Sequence, residues 1–240
     1  MADTPIALVT GAAHGLGLEV ATQLAAAGMA VLIAARDVDA ATAAADPVAG
    51  VEALPVSLDI SDPHSVTQAA RVVAETPGRL DVLVNNAAGY VDWSETASGA
   101  DLAAAEAVMQ INLFGTWRLT QALLPLLRRS PNPRVVNVSS GAGSHIDPDF
   151  GLTARHGAAA TYGISKAALN ALTATFAAEL SDTDVLVNAV CPGLTATFPG
   201  AEQMGARPVN ASARGVVWAA TLPSDGPRGG FFRDGQRLGW

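Results

Sequence analysis

Short runs that are apolar at nearly every position alternate along this chain with longer alanine-rich stretches. The runs predict strands at Ile6–Val9, Ala30–Ala34, Glu52–Val56, Val82–Asn85, Val135–Val138, Val185–Ala189 and Gly230–Phe232. The intervening stretches predict helices at Leu16–Ala27, Pro63–Glu75, Leu102–Leu127, Tyr162–Leu180 and Ala211–Ala219. Strands apolar on both faces and separated by helices belong in a parallel sheet covered on both sides, with right-handed crossovers. The expected fold class is therefore α/β, a doubly wound sheet in one domain over residues 1–240, since no linker or repeat divides the chain. Two segments, Gly141–Ala160 and Leu194–Val209, resist assignment.

Composition narrows the function classes. The 240 residues are 50% hydrophobic and 15% charged, enough to bury a full core. A formal charge of −8 argues against nucleic acid or an anionic membrane surface as partner. No apolar run reaches the roughly 18 residues of a membrane span, and no basic leader precedes the first strand, so a cytoplasmic protein is expected. Cys191 is the only cysteine; it excludes an intrachain disulfide, leaves no Cys-based metal site, and reads as a packing residue. No metal is expected.

The candidate chemistry gathers around the only lysine, Lys166, in a chain with thirteen arginines. A compact ammonium kept at one place offers what a guanidinium does not, a point charge with three donors. Tyr162 stands four residues earlier, so on a helix the phenol and the ammonium share a face. Upstream, a buried strand ends in Ser139-Ser140. Near the N-terminus the first strand ends in Thr10-Gly11-Ala12-Ala13-His14-Gly15-Leu16-Gly17 and opens into a helix. Glycines let the backbone approach a pyrophosphate, and the helix N-terminus offers N–H donors to it, although the Gly-x-x-x-Gly-x-Gly spacing departs from the usual dinucleotide fingerprint.

Together with Asp59-Ile60, Asn85-Asn86-Ala87-Ala88, Asn112 and Asn188-Ala189-Val190-Cys191-Pro192-Gly193, these motifs resemble the classical short-chain dehydrogenase/reductase family, carbonyl reductases included, over nearly the whole chain. Two features depart from it: Ala88 replaces a usual glycine, and 22 positions separate Ser140 from Tyr162 where about 13 is common. The resemblance implies a Rossmann-type sheet and a catalytic set of Asn112, Ser140, Tyr162 and Lys166. It assigns cofactor contacts to Gly11, His14, Gly15, Leu16, Gly17, Arg36, Asp59, Ile60, Asn86, Ala87, Pro192, Gly193 and Thr195, besides Tyr162 and Lys166. Asp59 would meet the adenine amino group, or else merely cap the helix near Pro63. Asn86 would support the cleft, and Asn112 would hold a water linking Lys166 to solvent. Ser139 would be structural.

The implied reaction interconverts a small-molecule carbonyl compound and its alcohol, with Tyr162 as acid and base. An ammonium about 4 Å from the phenol, at an effective dielectric of 20, would contribute on the order of 4 kcal/mol, or roughly three pKa units downward. Ala35 occupies the place where an acidic residue would repel a 2′-phosphate, and Arg36 follows, so NADP(H) is expected over a still possible NAD(H). Asp37 is the competing feature, able to pair with Arg36 or turn toward the ribose. Tyr90, Trp93, His145, Phe150 and Phe198 are expected around the substrate. The family favours homodimers and homotetramers. Alternatives are imine or enone reduction, hydroxysteroid oxidation, or a nonenzymatic nucleotide-sensing protein.

Overall fold

The computed structural model describes residues 4–240; the first three residues of the expected 1–240 domain lie outside the described residues. Eight strands form one sheet in the order β3-β2-β1-β4-β5-β6-β7-β8. They are β1 (Ile6–Thr10), β2 (Ala30–Ala34), β3 (Val51–Ala53), β4 (Val82–Asn85), β5 (Arg134–Val138), β6 (Leu186–Val190), β7 (Phe231–Arg233) and β8 (Gln236–Leu238). All neighbours are parallel except β7 and β8, which form an antiparallel hairpin at the edge. Alternation along single strands fills both faces. Leu8, Leu83, Val135 and Val187 enter one apolar core, while Ala7, Val9, Val84 and Val136 enter the other.

The helices are α1 (Gly15–Ala26), α2 (Val38–Ala45), α3 (Pro63–Glu75), α4 (Leu102–Met109), α5 (Thr116–Leu127), α6 (Ala160–Glu179) and α7 (Val209–Ala220). The first core carries residues of α3, α5 and α6, the second residues of α1, α2 and α7. Pattern reading missed α2 and β8, and β3 stops short of the expected Val56. The predicted continuous helix over 102–127 is interrupted by a π-helical turn at Gln110–Gly115. There Gly115 passes against the Ile60 segment so closely that a β-carbon would lie 2.8 Å from both Ile60 Cγ1 and Ile60 O. The extra residue in the turn carries Asn112 inward, where it is 1% exposed.

Candidate active site

The parallel strands deliver their C-terminal ends to one edge, and the candidate residues of the loops after β1, β2, β4, β5 and β6 lie there. Thr10, the last residue of β1, accepts the Asn86 and Ala87 N–H groups on its hydroxyl, both at 3.0 Å. Asn86 Nδ2 donates back to the carbonyls of Thr10 at 2.8 Å and Gly11 at 3.0 Å. Asn86 is thus a brace between two loops, and Gly17 packs beneath it, since a β-carbon on Gly17 would come 2.5 Å from that amide. Gly11 and Gly15 take φ of +61° and +58°, conformations that favour glycine.

These residues fit a dinucleotide. The first turn of α1 contains no acidic side chain and its N-terminus has no side-chain cap, leaving a positive dipole end for an anion. A β-carbon on Gly15 would meet nothing nearer than the Thr197 methyl at 3.5 Å. Leu16 and Ala87 are partly buried behind the loop, and His14 is exposed at its tip. Arg36 is exposed at the end of the β2 loop. Asp37 caps α2, accepting from Ala40 N at 3.0 Å, so its carboxylate is already engaged. Asp59 does not cap α3; Asp62 does, accepting from His64 N at 2.9 Å. Asp59 instead accepts the Ser61 hydroxyl at 2.6 Å and the Ser61 N–H at 2.9 Å. Those bonds, the hydroxyl foremost, hold its carboxyl below the usual range despite partial burial, with a smaller pull from Arg36. Ile60 is buried beside it.

On the catalytic side, β5 ends in the serine pair. Ser139 is 1% exposed and donates to Asn170 Oδ1 at 2.6 Å, a structural bond, whereas Ser140 is partly buried, accepts from Ala142 N at 3.2 Å and hydrogen-bonds the Tyr162 phenol. Glu95, from the segment after β4, caps α6 by accepting the Thr161 N–H at 2.9 Å, which places the turn carrying Tyr162. Lys166 is 2% exposed and donates to Val138 O at 2.9 Å. Its Nζ lies 5.6 Å from the Tyr162 ring centroid.

Burial dominates the electrostatics. It pushes the Tyr162 phenol well above the ordinary tyrosine range, Tyr90 adds to this, and a hydrogen bond from Ser140 only partly offsets it. The lowering expected from the ammonium is not found: the phenol is shifted upward and holds its proton at neutral pH. Burial also pushes Lys166 down to about 8.

The Asn112 side chain is committed: Oδ1 accepts from Gly89 N at 2.7 Å, and Nδ2 donates to Gly89 O at 3.0 Å and Ser165 Oγ at 2.9 Å. A water relay through Asn112 would therefore use its backbone. Tyr90 stacks on Tyr162 with centroids 5.3 Å apart, and Trp93 meets the same ring edge-on at 5.3 Å. His145 instead donates its N–H to Trp240 O, and Phe150 packs under Arg155. Phe198 is exposed. After β6, Arg207 holds the Pro192–Gly193 turn, donating to Pro192 O from Nε at 2.9 Å; the sequence offered no signal for this role. Thr195 turns inward to Gly193 O and Ser212 Oγ, so Thr197 is the threonine against the glycine loop.

A family model described as short chain dehydrogenase matches residues 5–205. The short-chain dehydrogenase anuI of Penicillium roqueforti is 34% identical over 226 residues, spanning 90% of this chain and 88% of its own. Pseudomonas aeruginosa RhlG, solved as an NADP complex, superposes with a TM-score of 0.80 at 31% identity over 96% of this chain and 95% of its own. The NADPH-bound carbonyl reductase from chicken fatty liver gives a TM-score of 0.84 at 26% identity over 99% of both chains. With a glycine loop after β1, a serine pair after β5 and the Tyr162–Lys166 pair on α6 of a doubly wound sheet, the chain belongs to the short-chain dehydrogenase family and is an NAD(P)-dependent oxidoreductase.

Proposed function

We propose that this enzyme uses NADPH to interconvert a ketone or aldehyde and its alcohol, with Tyr162 as the acid and base. The carrying observation is the convergence of the Ser140 hydroxyl, a phenol kept protonated by burial, and a buried ammonium on the backbone at the end of β5. The bound nicotinamide supplies a hydride to carbon. Tyr162 gives its proton to the substrate oxygen, and Ser140 donates a hydrogen bond to the same atom, steadying the charge that develops there. Lys166 holds a positive charge behind the phenol and is the residue to meet the nicotinamide ribose. Asn112 ties the Gly89 turn to α6 one residue before Lys166.

Selection of NADPH is supported by Ala35 and Arg36, by the diversion of Asp37 into capping α2, and by the NADP and NADPH bound to RhlG and the chicken carbonyl reductase. Gly11, His14, Gly15, Leu16, Gly17, Asp59, Ile60, Asn86, Ala87, Pro192 and Gly193 complete the proposed cofactor site, and Thr197, which lies against Gly15, takes the place expected of the inward-turned Thr195. Tyr90 and Trp93 roof Tyr162 with apolar ring faces, which suits apolar or aryl carbonyl substrates. The test is NADPH and NADH consumption over aldehydes, ketones, diketones and keto esters, with alcohols in reverse. Tyr162→Phe should cut turnover at least about a hundredfold while cofactor affinity stays nearly intact. Tight NADPH binding with no turnover across the panel would favour a nucleotide sensor instead.

A further inference from the structure

Beneath the turn that carries Ser140, one sulfur atom gathers four donors. Cys191, 3% exposed, accepts on Sγ from Gly141 N at 3.2 Å, Gly193 N at 3.4 Å, and Arg233 Nε and Nη2 at 3.4 and 3.3 Å. Gly141 directly follows Ser140, and Gly193 lies in the turn after β6, so the sulfur joins the two sides of the proposed cleft. Arg233, the last residue of β7, also donates from Nη2 to Asp147 Oδ2 at 2.7 Å. The other Asp147 oxygen accepts from Asp149 N at 3.1 Å and Phe150 N at 3.0 Å, and this carboxylate is only 5% exposed. A β-carbon on Gly141 would fall 2.6 Å from both Arg233 Nη2 and Asp147 Oδ2. The ion pair fills the space where a side chain would stand.

The C-terminal segment grips the same loop. Ser144 donates from Oγ to Gly239 O at 2.9 Å, and His145 donates its N–H to Trp240 O at 3.0 Å. Trp240 in turn stacks on Phe231 of β7 at 5.7 Å. This is the loop whose length departs from the family, so it needs an anchor that a shorter connection would not.

We propose that Asp147 and Arg233 are positioning residues for Ser140: their ion pair, seated on Cys191, sets the Ser140–Gly141 turn against the Pro192–Gly193 turn, and with it the point where Ser140 and Tyr162 meet one substrate oxygen. The inference rests on the Ser140–Tyr162 chemistry given above. Removing one partner of this partly buried pair leaves the other charge uncompensated, so the turn loses its seat even when the fold survives.

The test compares Asp147→Asn, which keeps the shape and loses the charge, with Gly141→Ala, which displaces the pair and leaves its charges. Each should lower kcat by about tenfold or more, as expected for a reacting group misplaced by a fraction of an ångström, with the KM for NADPH within about twofold of wild type. Circular dichroism establishes that each variant is folded. Arg233→Lys, which keeps the charge but loses the paired donors, should fall between wild type and Asp147→Asn. On a Ser140→Ala background, Asp147→Asn should lower kcat by less than about twofold further, because the hydroxyl that it positions is gone. Full kcat in folded Asp147→Asn, or a loss that multiplies with that of Ser140→Ala, overturns the inference and leaves the catalytic reading standing. Full activity in Ser140→Ala overturns that reading and the inference together.

Discussion

Lys166 carries the only ammonium of the chain into a site where it is 2% exposed, with Val138 O as its backbone acceptor. Desolvation pushes it from 10.5 down to about 8, against a smaller opposing effect from Cys191. The folded chain therefore releases this proton more readily than the unfolded chain. The cost of burying the charged form is complete below pH 8 and is relieved as pH rises from about 8 to 10.5, so stability rises across that window. Urea unfolding without added cofactor should show wild type gaining about 3 kcal/mol on Lys166→Met over those pH values. A difference that stays flat would mean the ammonium is solvated. Tyr162 responds to the same burial in the opposite sense, and a phenol kept protonated suits it to give a proton to a carbonyl oxygen.

Cofactor choice turns on an element that periodicity did not reveal. Helix α2 has eight residues, mostly alanine, and so no apolar stripe strong enough to announce it. Its existence decides what Asp37 does: the carboxylate accepts the Ala40 N–H, and Arg36 stands exposed beside the proposed 2′-phosphate position, with no ion pair to Asp37 and only a minor interaction with Asp59. Arg36→Ala should raise the KM for NADPH by roughly tenfold or more, matching the loss of a charge-assisted hydrogen bond of about 1.5–3 kcal/mol, and change that for NADH much less. Equal constants before and after the substitution would sink the assignment. The interruption of the 102–127 helix was equally illegible, because the local pattern of Gln110–Gly115 carries no proline to signal a break; in the folded chain the turn coincides with the meeting of Asn112 with Gly89 and Ser165.

No helix among the described residues is long and apolar enough to cross a membrane. One face formed by α4 and α6 nevertheless keeps Leu102 71% and Ile164 53% exposed, on either side of a shallow apolar depression lined also by Ala105 and Met109. An exposed apolar face of this kind is where the homodimer or homotetramer expected from the family resemblance would form. Light scattering at micromolar concentration should give an oligomer that Leu102→Glu with Ile164→Glu shifts toward monomer; a monomeric wild type refutes the assembly.

The alternation of apolar runs and helical stretches was enough to read the parallel sheet, because a strand buried on both faces and a helix with one apolar stripe leave different local periods. Glycines at 11, 15 and 17, the serine pair and the Tyr162–Lys166 spacing were likewise local and readable. Other features were decided only when distant segments met. The Cys191 contacts with Gly141 and Arg233 span 50 and 42 residues, and the Asp147–Arg233 pair spans 86. The same holds for the burial that raises the phenol and lowers the ammonium. Local pattern records what each segment can bury, but the field at a proton and the seat of a loop are sums over neighbours that only the folded chain brings together.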